Sequence, residues 1–103
     1  MELTDIIKAV SLWLNELESN SEGKLKVRNV KHTENVFIAD IDSETSLGQL
    51  IVEPEGFHPH RHVAMTILHK DNDHSVPFYY YDKDGNDISD IISGLNGCIE
   101  EML

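Results

Sequence analysis

The apolar residues of this chain change their spacing twice, and that alone restricts the fold. Near the N-terminus Leu3, Ile6, Ile7, Val10, Trp13, Leu14 and Leu17 recur at three- and four-residue intervals, which is the period of a helix with one buried stripe. Asp5, Lys8, Glu16 and Glu18 fall away from the stripe, so a helix is expected over residues 3 to 18. The Asn, Ser and Gly of "SNSEG" stop it. The helical period then disappears. "KLKVRNV" alternates charged with apolar residues, and "NVFIADI" sets Phe37, Ala39 and Ile41 against Asp40 and Asp42. This is the two-residue alternation of half-buried strands. "LGQLIVE", "HRHVAMTILH" and "VPFYYY" read as three more strands, separated by the turn signals of "SETS", "EPEG" and "DNDH". Gly48 allows a bulge or close packing, and Pro77, which lacks an amide donor, fits a strand start or edge.

Helical spacing returns over residues 88 to 102, where Ile88, Ile91, Ile92, Leu95, Ile99 and Met102 form a stripe with Cys98 beside it. Asn86 or Asp87 suits the N-cap, and Asp90 suits the first turn. Glu100 and Glu101 stand at the end of the helix dipole that disfavours them. Gly94 and Gly97 each weaken a helix by roughly 1 kcal/mol relative to Ala, so a close neighbour is expected there or else a marginal helix. The order is helix, about five strands, helix. Short connections between strands imply an antiparallel meander. The expectation is one α+β domain over residues 1–103, a two-layer sandwich with both helices on one face of the sheet. The other face is left to solvent or to a partner.

Charge narrows the partners. Nineteen Asp and Glu oppose eight Lys and Arg, for a net charge of −11 with neutral histidines. Such a field repels nucleic acid and anionic membranes and attracts basic proteins. It also keeps a chain dissolved, which is the plainer account of it. The N-terminus has no basic segment ahead of a long apolar run, and no stretch approaches the ~18 apolar residues of a spanning helix. Cys98 is the single cysteine. A cytoplasmic protein without an internal disulfide is expected.

The conspicuous polar feature is "EGFHPHRHVAMTIL", with His58, His60 and His62 at every second position. Alternate strand residues lie about 6.5–7 Å apart, which two imidazoles can bridge through one metal. A zinc site needs a fourth ligand, and His69, His74, Asp40 and Asp42 stand at no recognised spacing. "HPHRH" resembles the start of a cupin metal motif, but the downstream Glu and the strands of a double-sheet barrel are missing. Parity places the three histidines with Ala64 and Thr66, opposite Val63, Met65 and Ile67. An outward polar row is therefore preferred, with a pH-sensitive surface as its other use. No metal and no cofactor are assigned. "DKDGND" brings Gly85 too early for a calcium loop and reads as a turn. Cys98 beside an apolar stripe reads as a buried small side chain rather than a nucleophile. No phosphate loop occurs, and "GKLKVRNVKH" reads as a solvated strand face. No catalytic motif appears, so a non-enzymatic protein is expected.

The same parity brings Tyr79 and Tyr81 out beside Asp40, Asp42, His60, His62 and Thr66. These seven residues are the candidate partner-binding surface, acidic and aromatic. Cross-strand tyrosine pairs that merely stabilise the sheet are the competing account.

Three stretches carry a family resemblance: "LWLNEL" in the first helix, "SLGQLIVEPEG" with "VAMTIL" in the centre, and "YYYDKDGNDISDIISGL" leading into the last helix. The chain resembles the small immunity proteins of bacterial polymorphic and contact-dependent toxin systems, in particular the TriTu group. In that group the central hairpin runs from Gly through an apolar alternation to a turn ending in Gly. Here Val52, Glu53 and Pro54 stand where an aromatic is usual. The resemblance implies stoichiometric binding to a cognate toxin and carries over no particular residue. Two other functions fit the layout. One is a small acidic chaperone for a secreted effector, although the helix such chaperones insert between strands is lacking. The other is a metal-binding module built on the histidine row.

Overall fold

The computed structural model describes residues 2–56, 59–70 and 77–103. His58 and the loop "DNDH" lie outside the described residues. The chain runs α1 (Leu3–Asn20), β1 (Lys26–His32), β2 (Phe37–Asp42), β3 (Ser46–Val52), β4 (Val63–His69), β5 (Phe78–Tyr81) and α2 (Ile88–Met102). The strands form one antiparallel sheet in sequence order. The expected meander and its two flanking helices are therefore present. The boundaries differ by a few residues, most of all at β4, which begins at Val63 rather than at His60.

Strand parity sets the layers. Phe37, Ala39 and Ile41 of β2, Leu50 and Val52 of β3, and Val63, Met65 and Ile67 of β4 are buried on one side. They meet Ile6, Ile7, Val10 and Leu14 of α1 and Ile91, Leu95, Cys98, Ile99 and Met102 of α2 in a single core. Both helices thus bury their stripes on the same face of the sheet. Trp13 packs half-buried at the edge of this core, and its indole N–H donates to Asn96 Oδ1 at 2.9 Å, tying α1 to α2.

Local chemistry sets the ends of the elements. Glu22 and Gly23 take left-handed φ values of 57° and 83°, which turn the chain out of α1 and into β1. At α2 the N-cap is Asp87. Its carboxylate accepts from the backbone N–H of Asp90, and Asp90 returns the contact to the N–H of Asp87, closing a capping box. The far end of α2 has no basic residue in its last turn. There Ser43 and Thr45, in the turn between β2 and β3, donate their hydroxyls to the Met102 carbonyl at 2.9 and 3.2 Å. These bonds satisfy an orphan carbonyl that helix ends leave open.

Gly94 has the close neighbour its position in α2 suggested. The Tyr80 ring lies against it, and a Cβ there would sit 2.2 Å from a ring carbon. Gly48 plays a similar part against Met65 and Met102, in a strand that pairs without a bulge. The bulge of this sheet is in β1, between Asn29 and Lys31.

Cys98 is buried in the core, and burial pushes its thiol up to about 11. Burial, with Asp82 nearby, pushes the Tyr80 hydroxyl up to about 12. Both groups hold their protons more tightly folded than unfolded, so both favour the fold fully only below their unfolded values near 9 and 10. Stability should fall as pH rises from about 9 to about 12. Urea midpoints across that range will show it, and Cys98→Ala should flatten the first part of the decline. Parallel profiles for the two proteins would contradict a buried thiol as its source.

Candidate functional site

The register of the sheet assembles the outer face row by row. Ile38, Ile51, Ala64 and Tyr81 lie side by side across β2 to β5. Arg28, Asp40, Gln49, Thr66 and Tyr79 form the next row, and Lys26, Asp42, Leu47 and Leu68 the third. Neither helix reaches this side. Leu47 and Leu68, directly paired, are each 48% exposed, and Tyr79 is 50% exposed. Three large apolar or aromatic side chains are thus open to water on the β3–β5 half of the face.

Of the expected site residues, Asp40, Asp42, Thr66, Tyr79 and Tyr81 all stand on this face. The two carboxylates are neutralised in place. Arg28 Nη2 donates to Asp40 Oδ2 at 2.7 Å, and Lys70 Nζ donates to Asp42 and, at 2.7 Å, to the Ser43 carbonyl. The acidic patch read from the sequence is therefore a patch of ion pairs. Much of the unpaired negative charge is borne instead by the helices and their flanks, where Asp5, Glu16, Glu100 and Glu101 are exposed.

The two histidines sit at the corner before β4 rather than within it. His60 is only 9% exposed, and its Nε2 lies 3.3 Å from Glu53 Oε1. His62 is half-buried, with Nδ1 3.1 Å from the Glu53 carbonyl. Both rings lie within hydrogen-bonding distance of Glu53, His60 of its carboxylate and His62 of its carbonyl. Among the described residues no cluster of three His, Cys, Asp or Glu side chains is gathered as metal ligands would be. The His60 ring stacks on Tyr81 with centroids 5.9 Å apart and planes at 29°. Tyr81 stacks in turn on Tyr79 at 5.8 Å and 27°. The three rings make a ladder whose inner end is buried and whose outer end is exposed.

One residue holds this corner, and the sequence did not single it out. Asp82 follows β5 and is 1% exposed. Its Oδ1 accepts the backbone N–H groups of His62 and Val63, both at 2.8 Å. Its own N–H donates to the Val63 carbonyl, and its carbonyl accepts the N–H of Arg61. The exposed leucines were also missed. The alternation of β3, with Gly48 and Leu50 inward, already places Leu47 outward. The ion pairs carried no such signal, because Arg28 meets Asp40 only in this register.

Edge pairing is hindered on the β1 side. The Val27 N–H at that edge is taken by Glu18 Oε2 of α1 at 2.6 Å, and the bulge interrupts the strand further on. Charged side chains and bulges are the usual guards of an edge strand. Among the described residues no helix is long and apolar enough to cross a membrane. No protein-family model, no curated protein and no solved structure matches this chain.

Proposed function

We propose that this chain is a non-enzymatic inhibitor that neutralises a cognate bacterial toxin by direct contact, through the outer face of its sheet. The observation that carries the reading is the bare β3–β5 half of that face, where Leu47, Leu68 and Tyr79 stand together exposed. Contiguous exposed apolar side chains rimmed by polar ones mark contact surfaces. A large aromatic at such a place supplies rigid area with a polar tip.

The charge supports a division of labour. A net charge of −11 draws a basic partner from a distance and speeds encounter. The surface that would be desolvated on contact is close to neutral, since Asp40 and Asp42 already carry their own cations. Burying unpaired carboxylates would oppose binding, and burying leucine and tyrosine favours it. The family resemblance of the helix–meander–helix layout points the same way. The partner is accordingly a basic protein, and the gene beside this one is the first place to look for it.

The test is a titration against the basic protein encoded next to this chain. Leu68→Glu puts a charge at the centre of the exposed trio and touches nothing in the core. It should weaken binding at least tenfold, on the order expected for a central contact, while the melting temperature stays unchanged. Undiminished affinity of this variant would reject the face as the docking site.

A further inference from the structure

The ring ladder on the outer face has features that apolar contact alone does not use. His60, Tyr81 and Tyr79 stack in series, from a buried ring to an exposed one. Thr66 lies directly opposite Tyr79, and Gln49 is next across the strands. Among the described residues neither Thr66 nor Gln49 makes a side-chain hydrogen bond, so two acceptors stand open beside the exposed ring. Among the described residues no arginine or lysine is paired with Tyr79, Thr66 or Gln49. The chain has two arginines, and both are engaged elsewhere, Arg28 with Asp40 and Arg61 with Asp84 at 3.4 Å.

We propose that the exposed end of this ladder, at Tyr79, is a seat for the guanidinium group of an arginine carried by a basic partner. The proposal rests on the toxin-binding reading and names the group that the face recognises. A guanidinium is planar and weakly hydrated, and it stacks on aromatic faces while its N–H groups remain in the plane to donate. Stacking on the ring of Tyr79 leaves those donors to Thr66 Oγ1 and Gln49 Oε1. The exposed carbons of Leu68 and Leu47 lie in the adjoining row and can cover the side-chain stem. A lysine ammonium can also sit over the ring, but it lacks the planar stack and the in-plane fork of donors, so the site prefers arginine. The net charge of −11 favours the approach of cations over anions at long range, while the face itself is left close to neutral by its ion pairs. Single-stranded nucleic acid also stacks on aromatic ladders, but its phosphates meet the wrong field.

The experiment uses the whole chain and three probes: hexa-arginine, hexa-lysine and an oligothymidine, each titrated at low ionic strength and followed by NMR. The tyrosine ring signals and the amides of β4 and β5 should shift with hexa-arginine, saturably. The affinity should exceed that for hexa-lysine by roughly twofold, because both cations feel the ring and only the guanidinium adds the planar stack. Tyr79→Phe should keep this preference, because the ring remains. Tyr79→Leu should abolish it while the chain stays folded, with a melting temperature lowered only by the lost stack on Tyr81, because the bulk remains and the ring does not. The seat is overturned by equal response to the two peptides, by shifts confined to α1 and α2, by preference surviving in Tyr79→Leu, or by tighter binding of oligothymidine. No toxin is needed, so a failure here leaves the inhibitor reading standing. An arginine-selective protein that protects against no toxin would separate the two in the other direction.

Discussion

Asp82→Ala is expected to lower the free energy of unfolding by about 3–5 kcal/mol, the largest loss foreseen for any substitution outside the apolar core. The carboxylate is buried and receives two backbone N–H groups at 2.8 Å, from His62 and Val63. Alanine leaves both donors without their acceptor at a site closed to bulk water, and a stranded buried donor costs roughly 1–3 kcal/mol. The loss of a charge-assisted bond makes the upper part of the range appropriate. Asp82→Asn retains an oxygen in the same place and should forfeit only about 1–2 kcal/mol. Urea unfolding, fitted as two states, measures both. A loss below about 1 kcal/mol for the alanine variant would mean that water takes over the acceptor role. The carboxylate fixes the corner from which His60 reaches Tyr81, so the variant should loosen the ring ladder even where the fold survives.

Gly94→Ala is the second large effect, and its sign runs against helix propensity. In an exposed helix the change would stabilise by about 1 kcal/mol. In α2 the new Cβ falls 2.2 Å from Cε1 and 2.4 Å from Cζ of Tyr80. Such overlap forces the ring or the helix aside, and overpacking of this kind costs roughly 1–3 kcal/mol or more. A net loss of about 2 kcal/mol is expected, with β5 pushed off the helix. In a Tyr80→Ala background the obstacle is gone, and the same substitution should gain about 1 kcal/mol. The reversal of sign between the two backgrounds is the diagnostic, since contacting residues are those whose effects fail to add. If alanine stabilises the wild type as well, the ring is not held against the helix.

These two residues also mark the boundary of what the sequence discloses. The helices and the faces of β2 and β4 follow from period alone, because a stripe or an alternation must bury its apolar side; in β5 the alternation buries neither Phe78, which is 37% exposed, nor Tyr80, which is only half-buried, because the strand lies at the sheet's edge. Tyr79 and Tyr81 were legible as outward residues from parity. Gly94 was legible only as a place where something comes near. Its partner depends on the pairing of Met65 with Tyr80, which no local pattern states. Asp82 looked like any turn aspartate, because the donors it serves are about twenty residues away in sequence. Asp40 and Asp42 showed their face but not their ion-pair partners, Arg28 across one strand pair and Lys70 just beyond β4. His60 and His62 were assigned to the strand by alternation, and the structure ends that strand at Val63, where Asp82 takes the backbone amide. Short-range order was visible, and cross-strand chemistry was not.

The measurement that bears most directly on the account is amide hydrogen exchange of the chain, free and in complex with the basic toxin proposed as its partner. The account predicts added protection along β3, β4 and β5, with α1 and α2 exchanging as they do in the free chain. Protection gathered on the exposed acidic helices, with the sheet unchanged, would contradict it.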